Sequence, residues 1–149
     1  LFSDWKGGRP MYASIIVALD GSEQSMLAFN HARAIAECFG SKLILVHAFP
    51  RTSGLRDSTE YNNLVARRTK EGQAIIEKAR EHLGQSSFEV EEDLLEGPAA
   101  EAIISVAAIR KSDLIVMGSR GMGSLKGAVF GSVSAKVSHD ATCPVMVIR

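Results

Sequence analysis

An α/β fold with a five-stranded, parallel, doubly wound sheet is what this sequence predicts, on three observations. Short apolar runs alternate with segments of helical periodicity along the chain, the pattern of βαβ units rather than of hairpins. The runs at Ser14–Leu19, Lys42–Phe49 and Leu114–Met117 are almost continuously apolar instead of alternating, as strands covered on both faces are. The last of these ends abruptly at Gly118 and enters a loop with glycines at 118, 121, 123, 127 and 131, the kind of long βα connection that is uncommon unless it is functional.

Taken in order, Ser14–Leu19 reads as a central strand that ends at Asp20-Gly21-Ser22. Ser22 is a good N-cap for a helix whose apolar face is Ala28, Ala32, Ile35, Ala36 and Phe39, with Gly40 as the stop. Lys42–Phe49 is the second strand, and the polar, breaker-rich stretch from Pro50 to Thr59 is a surface loop. Tyr61, Leu64, Val65, Arg68, Gly72, Ile75, Ile76, Ala79 and Leu83 mark one face of a long second helix. Gly72 weakens its middle, which predicts close packing there. Phe88–Leu95 carries Glu89, Glu91, Glu92 and Asp93, the charge pattern of an edge strand guarded against unwanted pairing. Pro98, set at a first helical position, opens a third helix through Ile103, Ile104, Val106, Ala107 and Ile109. After the glycine loop, Ser132 is the expected N-cap of a short helix, and Val145–Ile148 is the closing strand.

Composition bounds the function. A chain of 149 residues with 46% hydrophobic and 23% charged residues fits one domain with a proper core. Seventeen basic and seventeen acidic residues cancel, so no bulk field draws the protein to nucleic acid or to an anionic membrane. No apolar run approaches the ~20 residues needed to span a bilayer, and residues 1–10 lack the apolar core of a secretory signal. Cys38 and Cys143 have no pairing or ligand spacing and read as reduced, core or near-core thiols of a cytoplasmic protein. Residues 1–10 are expected to be a cloning remnant or an upstream extension, with Met11 as the natural start and 11–149 as a single domain. His31, His47, His82 and His139 form no metal-ligand pattern; His47 is the one expected near a bound base.

The chemistry concentrates in the stretch from Asp113 to Ser134. A strand, a glycine-rich loop and a helix N-terminus together make a phosphate cradle, because residues without a Cβ let N–H groups approach an anion and the helix start adds unpaired donors. The alternative is a flexible connection. No Gly-Lys-Ser/Thr closes the loop, so it is not a Walker A motif, and the glycines do not follow the dinucleotide fingerprint. Their spacing is glycine, two residues, glycine, nine residues, glycine, serine.

That spacing, with Ile15-Ile16-Val17-Ala18-Leu19-Asp20-Gly21-Ser22 before it and Cys143-Pro144-Val145-Met146-Val147-Ile148 after it, resembles the universal stress protein family, and specifically its ATP-binding branch. The resemblance covers Tyr12 to Arg149. It implies the strand order 3-2-1-4-5 in an open sandwich of the flavodoxin-like, adenine-nucleotide α-hydrolase-like kind. In that order the first and fourth strands lie side by side, so Asp20 and Gly118 flank the crevice where such sheets bind ligands. It also implies ATP, ADP or AMP as the ligand, with Mg²⁺ or Mn²⁺ carried on the phosphates and no protein cage for the metal.

Chemistry and resemblance together assign the roles. Backbone N–H groups of Ser119, Arg120 and Gly121, and of Ser132, Val133 and Ser134, are expected to hold phosphate oxygens. The hydroxyls of Ser132 and Ser134 add bonds, glycine at 121 and 131 permits close approach or a φ that a Cβ would forbid, and Gly118 ends the strand as the first glycine of the motif. Asp20 accepts from ribose or base, or else caps the first helix. By resemblance Ala18 and Ala48 lie against the base, with Ala48 backbone groups reading its edge, and Met117 adds apolar contact. Arg120 and Lys126 are candidates to neutralise phosphate charge, against the alternative of solvated loop cations. The uncovered, uncharged edge Val145–Ile148 predicts a homodimer, which the family's usual dimer also uses.

Three functions compete. One is a regulatory ATP-binding stress-response protein whose nucleotide sets conformation or assembly. Another is a slow ATP hydrolase or adenylyl-transfer enzyme, for which a positioned base is wanting, as Asp20 is the one acid near the expected phosphates. The third is a phosphoacceptor domain, which needs paired acids after the first strand where only Asp20 is present.

Overall fold

The computed structural model describes residues 10–53, 56–122 and 130–149. Lys126, Gly123 and Gly127 of the expected phosphate loop lie outside the described residues. The elements run β1 (Ser14–Ala18), α1 (Glu23–Phe39), β2 (Lys42–Phe49), α2 (Thr59–Leu83), β3 (Val90–Glu96), α3 (Ala99–Arg110), β4 (Leu114–Gly118), α4 (Ser132–Asp140) and β5 (Val145–Ile148). All strands are parallel in one five-stranded sheet of order β3-β2-β1-β4-β5. Among the described residues no helix is long and apolar enough to cross a membrane.

Successive residues of a strand face opposite sides, and here both sides are covered. Ile15, Val17, Leu43, Leu45, Leu114 and Val116 pack under α1 and α2. Ile16, Ile44, Val46, Ile115 and Met117 pack under α3 and α4. In register, Ile16 lies between Ile44 of β2 and Ile115 of β4, so the centre of the sheet is aliphatic through its whole thickness. Each such side chain is worth about 1.5–3 kcal/mol on full burial, which is why the central runs carry no polar alternation.

Ser22 caps α1 as expected, its Oγ accepting from the Ser25 amide at 3.1 Å, and Gly40 ends that helix in the left-handed region. The buried face of α1 includes Phe29, which the sequence reading passed over because adjacent Ala28 already satisfied the helical period. Ile109 lies in the third helix as expected and is 78% exposed. Cys38, expected at or near the core, is exposed. Cys143 is half-buried, and burial pushes its thiol above the usual value. Pro98 sits one place before α3, at its N-cap. At α4 the N-cap is Gly131, with no side-chain cap, and Ser132 is the first helical residue.

β3 is an edge strand, and its acids are paired. Lys42 Nζ lies 2.8 Å from Glu91 and 3.2 Å from Glu89. Arg110 reaches Glu91 at 2.8 Å and Asp93 at 2.9 Å, while Arg80 of α2 pairs with Glu92. The hydrogen bond from Lys42 holds the Glu91 carboxyl below its usual value. The cations come from β2, α2 and α3, so the charges that guard this edge also fasten two helices to it.

Gly72 is buried in the middle of α2 and lets that helix descend onto the sheet. A Cβ there would lie 2.5 Å from Leu94 Cδ1 and 2.7 Å from His47 Cδ2. Alanine gains about 1 kcal/mol of helix propensity over glycine, whereas overpacking a core costs about 1–3 kcal/mol. The His47 ring is held by a hydrogen bond to the Leu19 carbonyl (2.7 Å) and cannot swing freely. Gly72→Ala is therefore expected to destabilise the fold, by about 1 kcal/mol net of these terms. Denaturant unfolding checks this, and a more stable variant would show that propensity, not packing, governs the position.

Candidate functional site

The site begins where β1 stops. Ala18 is in register with Val46 of β2, yet β2 runs on to Phe49, and on the other flank β4 ends at Gly118. Beyond these ends opens a cleft of about 590 Å³, at the point where the winding of the sheet reverses. Every described residue expected at the site lines it, Lys126 lying outside the described residues. Ala18, Asp20, Ala48 and Met117 come from the β1, β2 and β4 ends, Gly118 to Gly121 from the loop after β4, and Gly131 to Ser134 from the start of α4.

Much of the lining is apolar, with Ala18, Leu19, Val46, Ile103 and Met117 among it. The Leu19 N–H donates to the Val46 carbonyl at 2.8 Å, so Val46 turns its backbone groups toward β1. Alternate residues of a strand present their backbone groups to the same side. Ala48 therefore aims its N–H and C=O past the end of β1, toward the cleft. Phe49 faces the other neighbour, its carbonyl accepting from Gly97 N–H at 3.1 Å. His47 lines the cleft as expected. Its Nδ1 donates to the Leu19 carbonyl (2.7 Å), which assigns the proton of the neutral ring to Nδ1 and leaves Nε2 as an acceptor.

Asp20 ties the two sides of the cleft together. Its Oδ1 accepts from the Ser22 amide (2.9 Å) and hydroxyl (2.5 Å), through a tight turn in which Gly21 has φ +86°. Its Oδ2 accepts from the Met122 amide at 2.9 Å. Burial works to raise the Asp20 carboxyl, but the bonds from Ser22 and Met122 outweigh it and hold the group below its ordinary value. The carboxylate supports the turn into α1, whose N-cap is Ser22, and it lines the cleft. The loop runs so close that a Cβ at Gly121 would lie 2.1 Å from Asp20 Oδ2. The need for glycine here is this approach and not backbone angle, since neither Gly121 nor Gly131 has a positive φ.

The loop after β4 differs in detail from its expected role. The Ser119 amide is already donated to the Ile148 carbonyl (2.7 Å), and the Arg120 amide to Gln24 Oε1 (2.8 Å). The Ser134 hydroxyl, buried, donates to the carbonyls of Ser119 (2.7 Å) and Gly131 (3.1 Å). These groups build the loop. The open donors are the first-turn amides of α4, Ser132 to Ser134, which no side chain caps, together with the exposed Ser132 hydroxyl. Arg120 is exposed at the rim. Gln24 was missed by the sequence reading. It carries no motif, and only its place in the first turn of α1 against Gly118, whose Cβ would lie 3.0 Å from Gln24 Cβ, sets it under the loop. Met122 and Phe130, also missed, line the mouth and are 74% and 42% exposed.

Comparison with known proteins agrees with this geometry. Residues 11–149 match the model of the universal stress protein family. A universal stress protein of Thermus aquaticus, from the 3′ region of its QAH/OAS sulfhydrylase, is 35% identical over 139 residues, 93% of this chain and 100% of that one. Among solved structures, a universal stress protein in complex with cAMP superposes with a TM-score of 0.72 at 28% identity, covering 93% of this chain and 98% of that one. The Archaeoglobus fulgidus universal stress protein in complex with dAMP gives a TM-score of 0.62 at 27% identity, with 93% and 99% covered. Sheet order, cleft and motif thus agree with the family match, and the chain belongs to the universal stress protein family.

Proposed function

We propose that this chain is a stress-response regulator that binds an adenine nucleotide, ATP or its AMP and ADP relatives, in the cleft between β1 and β4, and that occupancy sets its conformation or assembly. One observation carries the reading: a single cleft of about 590 Å³ has the backbone donor–acceptor pair of Ala48 at one end and the uncapped start of α4 at the other. The first fits the edge of a purine and the second fits an anion. The volume falls within the ~300–1,000 Å³ usual for small-molecule sites. The cAMP and dAMP of the two solved relatives share an adenine, a pentose and a phosphate, which supports the same ligand class here. Mg²⁺ or Mn²⁺ fits as a passenger on the phosphates. Asp20 is the one carboxylate among the described lining residues, and both its oxygens already accept hydrogen bonds.

Isothermal titration tests the reading. ATP with Mg²⁺ should bind, Mg²⁺ alone should not bind tightly, and Gly131→Val should abolish ATP binding. At Gly131 φ is −77° and ψ 164°, a conformation valine adopts readily, so the variant should keep its fold and lose only close approach of the ligand. Unchanged affinity in a folded variant would sink the site.

Hydrolysis is expected to be slow or absent. A general base must lie within hydrogen-bond reach of the attacking water; both oxygens of Asp20, the one carboxylate among the described lining residues, are already taken by protein donors. Turnover near the enzyme median of about 10 s⁻¹ would promote the enzyme reading instead.

Assembly follows from β5. It pairs with β4 on one side, and in the sheet order it is an edge. Its side chains are half-buried, Met146 and Ile148 toward one core and Val145 and Val147 toward the other, while its outer backbone groups face away from the sheet. No acid or base guards it before Arg149. Pairing with the same strand of a second copy about a two-fold axis satisfies the edge. The intact chain should sediment as a homodimer at micromolar concentration, and Val147→Lys should shift it to monomer or aggregate. A monomeric intact chain ends the idea.

A further inference from the structure

The base end of the cleft is closed by the segment that follows β2, and that segment is held from two sides. Pro50 lines the cleft. Its carbonyl accepts from Arg68 Nη1 of α2 at 2.8 Å, and the same Nη1 donates to Thr52 Oγ1 at 3.0 Å. The Thr52 amide donates to Glu96 Oε1, at the end of β3, at 2.8 Å. Thr52 is itself 8% exposed, a buried threonine in a stretch otherwise polar and exposed, with its hydroxyl and amide both directed to charged side chains. Immediately after Glu96, Gly97 N–H returns to the Phe49 carbonyl, and Ala99, two residues later, also lines the cleft. Arg68 and Glu96 therefore fix the wall at Pro50, and Glu96 sits where the wall at Ala99 begins.

We infer that Arg68 and Glu96 are positioning residues for the bound base, acting through Thr52 to set the width of the base end of the cleft. Neither needs to touch the ligand. A guanidinium and a carboxylate make stronger hydrogen bonds than neutral groups do, which suits them to hold a loop of few apolar contacts against thermal motion. The inference rests on the nucleotide reading above and adds to it. The motif at the start of α4 supplies the anion end, while the base end depends on a clamp assembled from α2 and β3.

The test is a double-mutant cycle read by ATP affinity on the full chain, with thermal unfolding confirming that each variant is folded. Arg68→Ala and Thr52→Val should each weaken ATP binding, Arg68→Ala by about tenfold, the equivalent of 1.4 kcal/mol. Thr52→Val is the gentler change, close in shape and with its amide bond to Glu96 intact, and it keeps the test open if Arg68→Ala fails to fold. The double variant should bind no worse than Arg68→Ala alone, because the two residues act through one contact. Glu96→Ala should weaken binding, and Glu96→Gln, which keeps an acceptor for the Thr52 amide, should restore it. Wild-type affinity in Arg68→Ala and Thr52→Val, losses that simply add in the double variant, or a Glu96→Gln as weak as Glu96→Ala would each overturn the clamp while leaving nucleotide binding standing. Failure of the wild-type chain to bind ATP would overturn the nucleotide reading itself.

Discussion

The carboxylate of Asp20 joins parts of the chain that lie 102 residues apart, the turn into α1 and the loop after β4. Four features of the site depend on that bridge. The Asp20-Gly21-Ser22 turn is closed by Oδ1, Ser22 is thereby placed to cap α1, and Gln24, in its first turn, is placed beneath the loop, where it receives the Arg120 amide. Oδ2 then holds the same loop from the other side through Met122. The bonds are made to the charged form, which is why they outweigh the burial that would otherwise raise its pKa. The sign follows: a depressed carboxyl contributes stability above its unfolded-state pKa and loses it only as pH falls through the lower, folded value. Around neutrality the bridge is fully formed. The same engagement makes Asp20 a poor general base, so the residue that organises the site also inclines it toward binding rather than turnover.

The two edges of the sheet are managed by opposite means. On β3 the acids are answered by Lys42, Arg80 and Arg110. Exposed pairs of this kind contribute little energy each, so their effect is one of specification: charged side chains lie along the edge and discourage another strand. β5 has short aliphatic side chains shared between the two cores and no such guard. Its last carbonyl, Ile148, accepts the Ser119 amide, so the edge strand and the cleft loop are joined through backbone. An occupant of the cleft and a partner on the edge would both act on Ser119, whose carbonyl also receives the Gly131 amide and the Ser134 hydroxyl.

Most of the fold was legible because burial on two faces leaves a plain trace, the continuous apolar runs of β1, β2 and β4. Helix faces were legible to within the period of the helix, which is why Phe29 was missed beside Ala28. The site was legible wherever one short stretch supplies it. Gly118, Gly121 and Gly131 to Ser134 stand on a single loop and helix start, and Asp20 ends a strand whose neighbour the strand order identifies. What was not legible was which donors are already spent. The amides of Ser119 and Arg120 and the hydroxyl of Ser134 look available in sequence, but their acceptors, Ile148, Gln24 and Ser119, are fixed only by the tertiary arrangement.

The same distinction separates the two ends of the cleft. An anion asks for unpaired N–H groups and room to approach, and a helix start preceded by glycine provides both within a few residues. A purine asks for a slot of set width with a donor and an acceptor at its edge, and no single stretch can provide that. In the proposed base site the edge is Ala48 of β2, and the lining includes Pro50, held by Arg68 of α2, and Ala99, just beyond Glu96 of β3. Each of those contacts crosses elements, and α2 reaches the sheet only because Gly72 lets it come down against His47 and Leu94. Anion binding can therefore persist through wide changes elsewhere in such a chain, whereas recognition of the base is sensitive to packing far from the ligand, and variation in α2 or β3 is the route by which it would be retuned.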